Sequence, residues 1–473
     1  MKVLIIAAGR EGRLRSSGKE EPRPLTPLLG LRLIERVILS AKEAGLKEFV
    51  IVTGYLGEST KRFLGDGSKY GVKLSYIENN LWEKSEAISV DKARKLLEDD
   101  FILLTSNCIF NPEILVDLKK HKLEDGECML CVDTRMKYVS DINEAVKVKV
   151  ANGKIVNMGK DLKEYDGVDM GILLCSHCIF EVLKKNIEAG RYTLLEAVKE
   201  LAKEGKMRAY LVSGEKDYWL SIDTPEDLKL AEKVLLFEAS KHAIATRILY
   251  KHLNTPITKL LTLTPITPNQ VTLLSLAAGI AASLLFIYGR PILAGFLALL
   301  SSVLDGVDGK IARIKFQKTT YGGIFDSFID LYTDFAVFFG MAHYGYRSTQ
   351  NPLLWLLAFL ALTGTIAVSV PAGISTPTKK YWISLSKLYR CHPFHPKFGS
   401  IDRWIVECFP SSKDMRYLWI FIGSILGQVV PTLWAISLAT NLMAVYRLLR
   451  AKLTTEKLSV AEIEEHLERI YAS

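Results

Sequence analysis

From residue 241 to residue 401 the sequence contains no glutamate, and its acidic residues are five aspartates: Asp305, Asp308, Asp326, Asp330 and Asp334. Basic residues are not scarce in the same half. Residues 241–473 carry 23 Lys+Arg against 13 Asp+Glu, whereas residues 1–240 are nearly balanced at 38 against 39. The net charge of +9 therefore belongs to the second half. This asymmetry excludes a uniform soluble enzyme, a disordered chain, and a nucleic-acid protein with one dispersed basic face. Cysteine is also sparse: seven residues, an odd number, imply no disulfide framework in a large intracellular chain. Cys128-x2-Cys131 and Cys175-x2-Cys178 have zinc-like spacing, but both pairs sit in apolar strand-like runs. Residues i and i+3 of a strand face opposite ways, so buried free thiols are the expectation. Internal repeats and low-complexity tracts are missing as well.

What the second half does have is long apolar runs. Val271–Tyr288, Pro352–Thr376 and Tyr417–Tyr446 are uncharged, and Pro291–Ile311 and Ile324–Tyr346 are lipid-compatible apart from their aspartates. A span needs about 20 apolar residues. The last run is too long for one untilted span and is interrupted by Gln428 and Pro431. Charge decides the count. With the chain starting inside, Lys310–Lys318, Lys379–Arg416 and the tail from Arg447 are cytoplasmic and basic, and six spans satisfy the positive-inside rule. Lys241–Leu263 mixes basic and apolar residues, as a helix at the headgroup surface would.

Met1–Ala8 reads as a buried strand entering a Gly loop, not as a signal peptide, so the first half is expected to stay in the cytosol. Lys2–Ala7, Phe49–Thr53, Phe101–Thr105 and Cys128–Val132 are short apolar runs. They alternate with helical periodicity at Leu31–Ala44, Ser85–Leu97 and Pro112–His121, and Leu228–Ala239 also reads as helix. Strand–helix alternation predicts a Rossmann-like α/β domain with a mostly parallel sheet. Its first loop, Ala7-Ala8-Gly9-Arg10-Glu11-Gly12-Arg13-Leu14, lies where a phosphate would meet backbone N–H groups. With Arg23-Pro24-Leu25, Val168-Asp169-Met170-Gly171-Ile172 and Trp219–Leu228, this loop resembles the sugar-phosphate nucleotidyltransferases, in particular the inositol 1-phosphate cytidylyltransferases. The resemblance covers residues 1–235 and implies a site containing Gly9, Arg13, Arg23 and Asp223. Four positions depart from that family's pattern. Glu11 replaces a glycine, Arg23 a lysine, Glu86-Ala87 an Asn-Gly pair, and Asn107 the first metal-binding aspartate. A carboxylate repels a triphosphate and an amide is a poor substitute on a hard divalent ion, so impaired nucleotidyl transfer is expected.

The strongest pattern is Asp305-Gly306-Val307-Asp308-Gly309-Lys310-Ile311-Ala312-Arg313, followed by Gly322, Asp326 and Asp330. On helices each aspartate pair shares a face. An intramembrane carboxylate costs about 2.5–3.5 kcal/mol at mid-bilayer, so a clustered set implies a bound cation or a polar cavity. Four carboxylates on two facing helices suit Mg2+ or Mn2+. A cation transporter is the competing reading. D-x2-D-G-x2-A-R-x8-G-x3-D-x3-D resembles the CDP-alcohol phosphotransferases at every defining position, over residues of about 265–450. The resemblance implies that Asp305, Asp308, Asp326 and Asp330 hold metal, with Asp330 also the general base. It further implies that Gly306, Gly309 and Arg313 meet the CDP group. Lys413 and Arg416, just before a span, are candidates for an acceptor phosphate; for Lys413 positive-inside charge is an equal explanation.

The expected organisation is a nucleotidyltransferase-like domain at 1–235 and a juxtamembrane helix and linker at 236–268. An all-α six-helix transmembrane domain follows at 269–450, and a cytoplasmic C-terminal helix at 451–473. Joined in this order, the halves resemble the bifunctional inositol-phosphate cytidylyltransferase/di-myo-inositol-phosphate-phosphate synthases. That resemblance implies CTP, a CDP-alcohol and inositol phosphate as small-molecule partners, membrane lipid around the second half, no nucleic acid, and a homodimer. It also implies a multi-pass cell-membrane protein with both termini and both sites cytoplasmic. Two alternatives stand beside it: a phospholipid synthase using a CDP-lipid donor, and a soluble half that only binds or regulates.

Overall fold

The computed structural model describes residues 1–9, 21–83, 86–124, 126–214, 217–240, 244–369, 371–375, 380–384 and 412–455. The chain divides into two compact units, Met1–Phe237 and Glu238–Ser473.

The strands of the first unit are β1 (Lys2–Ala7), β2 (Pro27–Leu28), β3 (Leu31–Arg32), β4 (Glu48–Thr53), β5 (Lys73–Glu78), β6 (Phe101–Thr105) and β7 (Cys108–Phe110). They continue with β8 (Cys128–Asp133), β9 (Lys147–Ala151), β10 (Lys154–Gly159), β11 (Gly167–Cys175), β12 (Met207–Val212) and β13 (Trp219–Ser221). Its helices are α1 (Leu33–Glu43), α2 (Gly57–Leu64), α3 (Glu86–Lys92), α4 (Pro112–Leu118), α5 (Cys178–Glu188), α6 (Leu194–Lys203) and α7 (Pro225–Glu238). Nine strands form one sheet in the order β5-β4-β1-β6-β11-β8-β12-β10-β9. Val3, Ile5 and Ala7 pack into a core on one face, and Leu4 and Ile6 into a core on the other. A strand buried on both faces reads as a continuous apolar run, which is why Lys2–Ala7 was conspicuous.

The sheet is mostly parallel, as expected: seven of its nine strands run one way, and β10 and β11 run against them. β5, β4, β1 and β6 are mutually parallel, as are β8 and β12, but β11 runs antiparallel to both β6 and β8. β9 and β10 are a hairpin closed at Asn152 (φ 50) and Gly153 (φ 74). Positive φ at both turn positions is what a tight two-residue hairpin needs, and Asn-Gly supplies it. The thiols follow the sheet's alternation: Cys131 lies in one core, Cys128 and Cys175 in the other.

In the second unit α8 (Ile244–Thr262) precedes α9 (Pro268–Ile287), α10 (Pro291–Ile314), α11 (Thr320–Thr349) and α12 (Leu353–Ser369). After the hairpin β14–β15 (Pro371–Ser375 with Lys380–Ser384) come α13 (Lys413–Ile425) and α14 (Val429–Thr455). The hairpin departs from an all-helical reading; Pro371 has no N–H with which to continue α12. Residues 456–473, most of the expected C-terminal helix, lie outside the described residues. α9 begins in a capping box, with Gln270 N–H donating to Thr267 Oγ1 at 3.4 Å and Thr267 N–H to Gln270 Oε1 at 2.9 Å. The long Tyr417–Tyr446 run breaks into α13 and α14 at Gly427, whose φ of 69 favours glycine.

Small residues let the helices approach closely. A Cβ at Gly279 would collide with Thr333 of α11 and lie 3.5 Å from Ser301 Oγ of α10, and one at Gly340 would lie 2.7 Å from Ser283 O of α9. Phe286, Phe338, Met341, Tyr417 and Leu433 fill the interior, whereas Ile280, Phe296, Phe335 and Leu438 point outward and are exposed. An apolar exterior around a packed apolar core suits lipid as solvent. Among the described residues, Pro268–Ile287, Pro291–Ile314 and Val429–Tyr446 are long and apolar enough to cross a membrane.

Candidate active sites

α9 lies against both α10 and α11, and aspartates of those two helices converge. Asp305, Asp326 and Asp330 each offer an oxygen within 4.8 Å of the others. Oδ1 of Asp326 is buried and has no hydrogen-bond partner. Asp308 is buried; its oxygens accept from Thr272 Oγ1 and from the N–H of Gly309. From α13, Lys413 Nζ donates to Asp305 Oδ1 at 2.8 Å and also to Asp330. One turn on, Arg416 Nη2 meets Asp334 Oδ2 at 2.6 Å, and both side chains are buried. Arg416 therefore sits on Asp334 in this structure. Arg313 Nε donates to Ala239 O at 2.7 Å, and its guanidinium lies 3.4 Å from where a Gly309 side chain would begin. Gly306 is half-buried on α10, next to Asp305.

A converging set of carboxylate oxygens, one of them buried and unpaired, fits a hard divalent cation better than it fits empty apolar space. The residues present thus suit a divalent cation. Gly306 and Gly309, within α10, place no side chain beside them.

The first unit carries a second constellation. The short pairing of β7 with β13 brings Asn107 and Asp223 together. Asn107 Nδ2 donates to Ser221 Oγ at 2.9 Å and to Asp223 Oδ1 at 3.4 Å. Arg23 Nη2 donates to Ile222 O at 2.8 Å and forms an ion pair with Asp223 Oδ1. The loop bearing Arg23 is fixed from α1, where buried Arg36 donates to Leu28 O at 2.7 Å. In β11 the register slips between Asp169 and Leu173, and Gly171 takes φ 65. That bulge lets the Gly171 N–H donate to Asp169 Oδ1 at 2.7 Å. Burial nevertheless pushes the Asp169 carboxyl up to about 6, and the charge of Glu86 adds to it. At Gly9 a side chain would meet nothing within 4 Å. Glu11 and Arg13 lie outside the described residues.

Comparison with known proteins covers both units. A nucleotidyl transferase family model matches residues 2–236, and a CDP-alcohol phosphatidyltransferase model matches residues 265–382. The "Bifunctional IPC transferase and DIPP synthase" of Aquifex aeolicus is 30% identical over 94% of this chain and 96% of its own length. The protein of the same name from Rubrobacter xylanophilus is 30% identical over 95% of this chain and 96% of its own. The chain belongs to this bifunctional family. The inositol-1-phosphate CTP transferase from T. maritima is 23% identical, with a TM-score of 0.44, and spans 49% of this chain and 95% of that one. Family membership makes the chain an enzyme, a CDP-alcohol phosphotransferase joined to a nucleotidyltransferase domain. Full-length similarity of this kind does not favour a phospholipid synthase.

Three neighbours of the membrane carboxylates carried no separate weight in the sequence. Thr272 bonds Asp308 from α9. Ser302 Oγ donates to Asp414 Oδ1 at 3.1 Å, which ties the start of α13 to α10. Lys310, read as a cytoplasmic loop charge, belongs to α10 and is buried. The available signal was Ser412-Lys413-Asp414: a serine cap with charges at the head of an apolar run. Ser412 does cap α13, accepting from Met415 N–H at 3.4 Å.

Proposed function

We propose that the membrane unit transfers phosphoinositol from CDP-inositol to a hydroxyl of inositol 1-phosphate, releasing CMP. The observation that carries the reading is the convergence of Asp305, Asp326 and Asp330 within 4.8 Å in a chain similar, end to end, to the bifunctional enzymes. Asp305, Asp308, Asp326 and Asp330 would hold Mg2+ or Mn2+. That ion supplies neutralisation of the diphosphate, which makes CMP the better leaving group. The acceptor oxygen forms a bond to the inositol-bearing phosphorus while the bond from that phosphorus to the CMP oxygen breaks. Asp330 takes the proton of the attacking hydroxyl. Lys413, already on Asp305 and Asp330, orients Asp330 and offers a positive charge to the anionic acceptor. Gly306 and Gly309 leave room for the CDP group, and Arg313 flanks it. Thr272 holds Asp308 in place.

The same reading includes six spans, a homodimer through this unit, and a cytoplasmic site with both termini inside. The three long apolar helices and the basic loops support it. The test is CMP release by the purified protein with CDP-inositol or a CDP-lipid as donor and inositol 1-phosphate as acceptor. Release with CDP-inositol is expected; release with the CDP-lipid alone would overturn the reading.

A further inference from the structure

In the first unit the position that a nucleotidyltransferase fold reserves for a divalent ion is already saturated. Asp223 Oδ1 accepts from the guanidinium of Arg23 and from the amide of Asn107, and Oδ2 accepts from Ser221 Oγ at 2.6 Å. The backbone around it is pinned too. The N–H groups of Asp223 and Thr224 donate to Asp227 Oδ2 at 3.0 and 2.8 Å, and Ser140 Oγ donates to Asp227 Oδ1. A hard divalent cation needs several oxygen ligands with net negative charge. Among the described residues, the carboxylate that the family resemblance assigns to the ion is Asp223, and Arg23 neutralises it. The second side chain, Asn107, is neutral and turns its N–H2 toward Asp223. These residues do not fit the ion. The charge of Glu86 also acts on Arg23 and Asp223, and Asp169 lies close enough to feel Glu86 in turn.

We infer that the first unit does not carry out metal-dependent nucleotidyl transfer, and that the CDP-alcohol consumed by the membrane unit is supplied by a separate CTP-dependent cytidylyltransferase. The second clause rests on CDP-inositol being the donor proposed above. The supplying reaction is fixed by its chemistry. A phosphate oxygen of the alcohol phosphate bonds to the α-phosphorus of CTP, the bond to the β-phosphate oxygen breaks, and pyrophosphate leaves. The first unit retains the fold of that reaction, with the ion's place taken by Arg23.

The experiment uses the full-length chain in detergent. With CTP and inositol 1-phosphate, pyrophosphate release is expected to stay at background. CDP-inositol with inositol 1-phosphate gives CMP, and adding an independent cytidylyltransferase to the CTP reaction restores CMP release. Pyrophosphate formed from CTP as fast as CMP from CDP-inositol would overturn the inference. Failure with CDP-inositol alone would instead strike the proposed function. A second readout needs no turnover: Mn2+ binding by electron paramagnetic resonance, with and without CTP. It is made in full-length protein in which Asp305, Asp308, Asp326 and Asp330 are all changed to Asn, so that the membrane carboxylates do not contribute. No CTP-dependent Mn2+ site is expected in this background. Adding Arg23→Lys with Asn107→Asp should raise CTP-dependent Mn2+ binding above that background by at least about tenfold. A CTP-dependent site present without those two changes would sink the inference.

Discussion

Lys413 Nζ lies 2.8 Å from Asp305 Oδ1 and also contacts Asp330, so one ammonium group on α13 spans carboxylates carried by α10 and α11. A side-chain cation thus holds the two helices' charges together.

Lys413→Met is therefore expected to act twice. CMP release should fall by about a hundredfold, roughly 2.7 kcal/mol on the barrier, because Asp330 loses its orienting charge. Thermal stability without added metal should fall as well, since two half-buried carboxylates are left facing each other, and Mg2+ should restore much of it. Equal melting temperatures for wild type and variant in chelator would contradict this account.

Asp308→Asn and Asp326→Asn are each expected to abolish CMP release while leaving the protein folded. A neutral amide cannot replace a metal-bound carboxylate, whereas removing charge from a buried intramembrane position does not cost stability. Activity above about a tenth of wild type in both variants, where losing a metal ligand costs several kcal/mol, would count against the ligand assignment.

The Arg416–Asp334 pair can be weighed by a double-mutant cycle. Removing either partner strands a buried charge, which costs about 3–5 kcal/mol. Arg416→Met combined with Asp334→Leu should recover most of that loss, since an apolar pair of similar volume suits the same space. Additive losses in thermal unfolding would show that the two side chains are not coupled.

Asp169 gives the first unit a pH dependence. Burial pushes its carboxyl up to about 6 from an aspartate's ordinary 3.8, so the native state binds this proton more tightly than the unfolded chain does. The associated stability is present at low pH and is lost as pH rises from about 4 to about 6. Asp169→Asn should flatten that decline and protect the β11 amides at pH 7 by about 1 kcal/mol in hydrogen exchange. Superimposable pH curves for the two proteins would refute the burial argument.

Strands buried on both faces announced themselves in the sequence as unbroken apolar runs, and β1, β4, β6 and β8 lie within a residue of where those runs fall. β9–β10 did not. Lys147–Ala151 and Lys154–Gly159 are half polar, and only the Asn152-Gly153 turn marks them as a hairpin. The aspartates of α10 and α11 were legible because helical spacing alone places each pair on one face. The pairing of Asp334 with Arg416 was not, because it joins residues 82 positions apart through a packing that no local pattern encodes. Arg23 on Asp223, 200 positions apart, is the same kind of contact.

Gly279 sits where α9, α10 and α11 meet, between Ser301 and Thr333. Ser301 is one helical turn before Asp305, and Thr333 is just under one turn after Asp330. The gap between the two acidic helices is thus gauged by the absence of a single methyl group. A wedge of alanine's size there would spread the carboxylates apart without altering any group that touches substrate. Slower CMP release from Gly279→Ala, with the aspartates themselves untouched, would reveal that spacing.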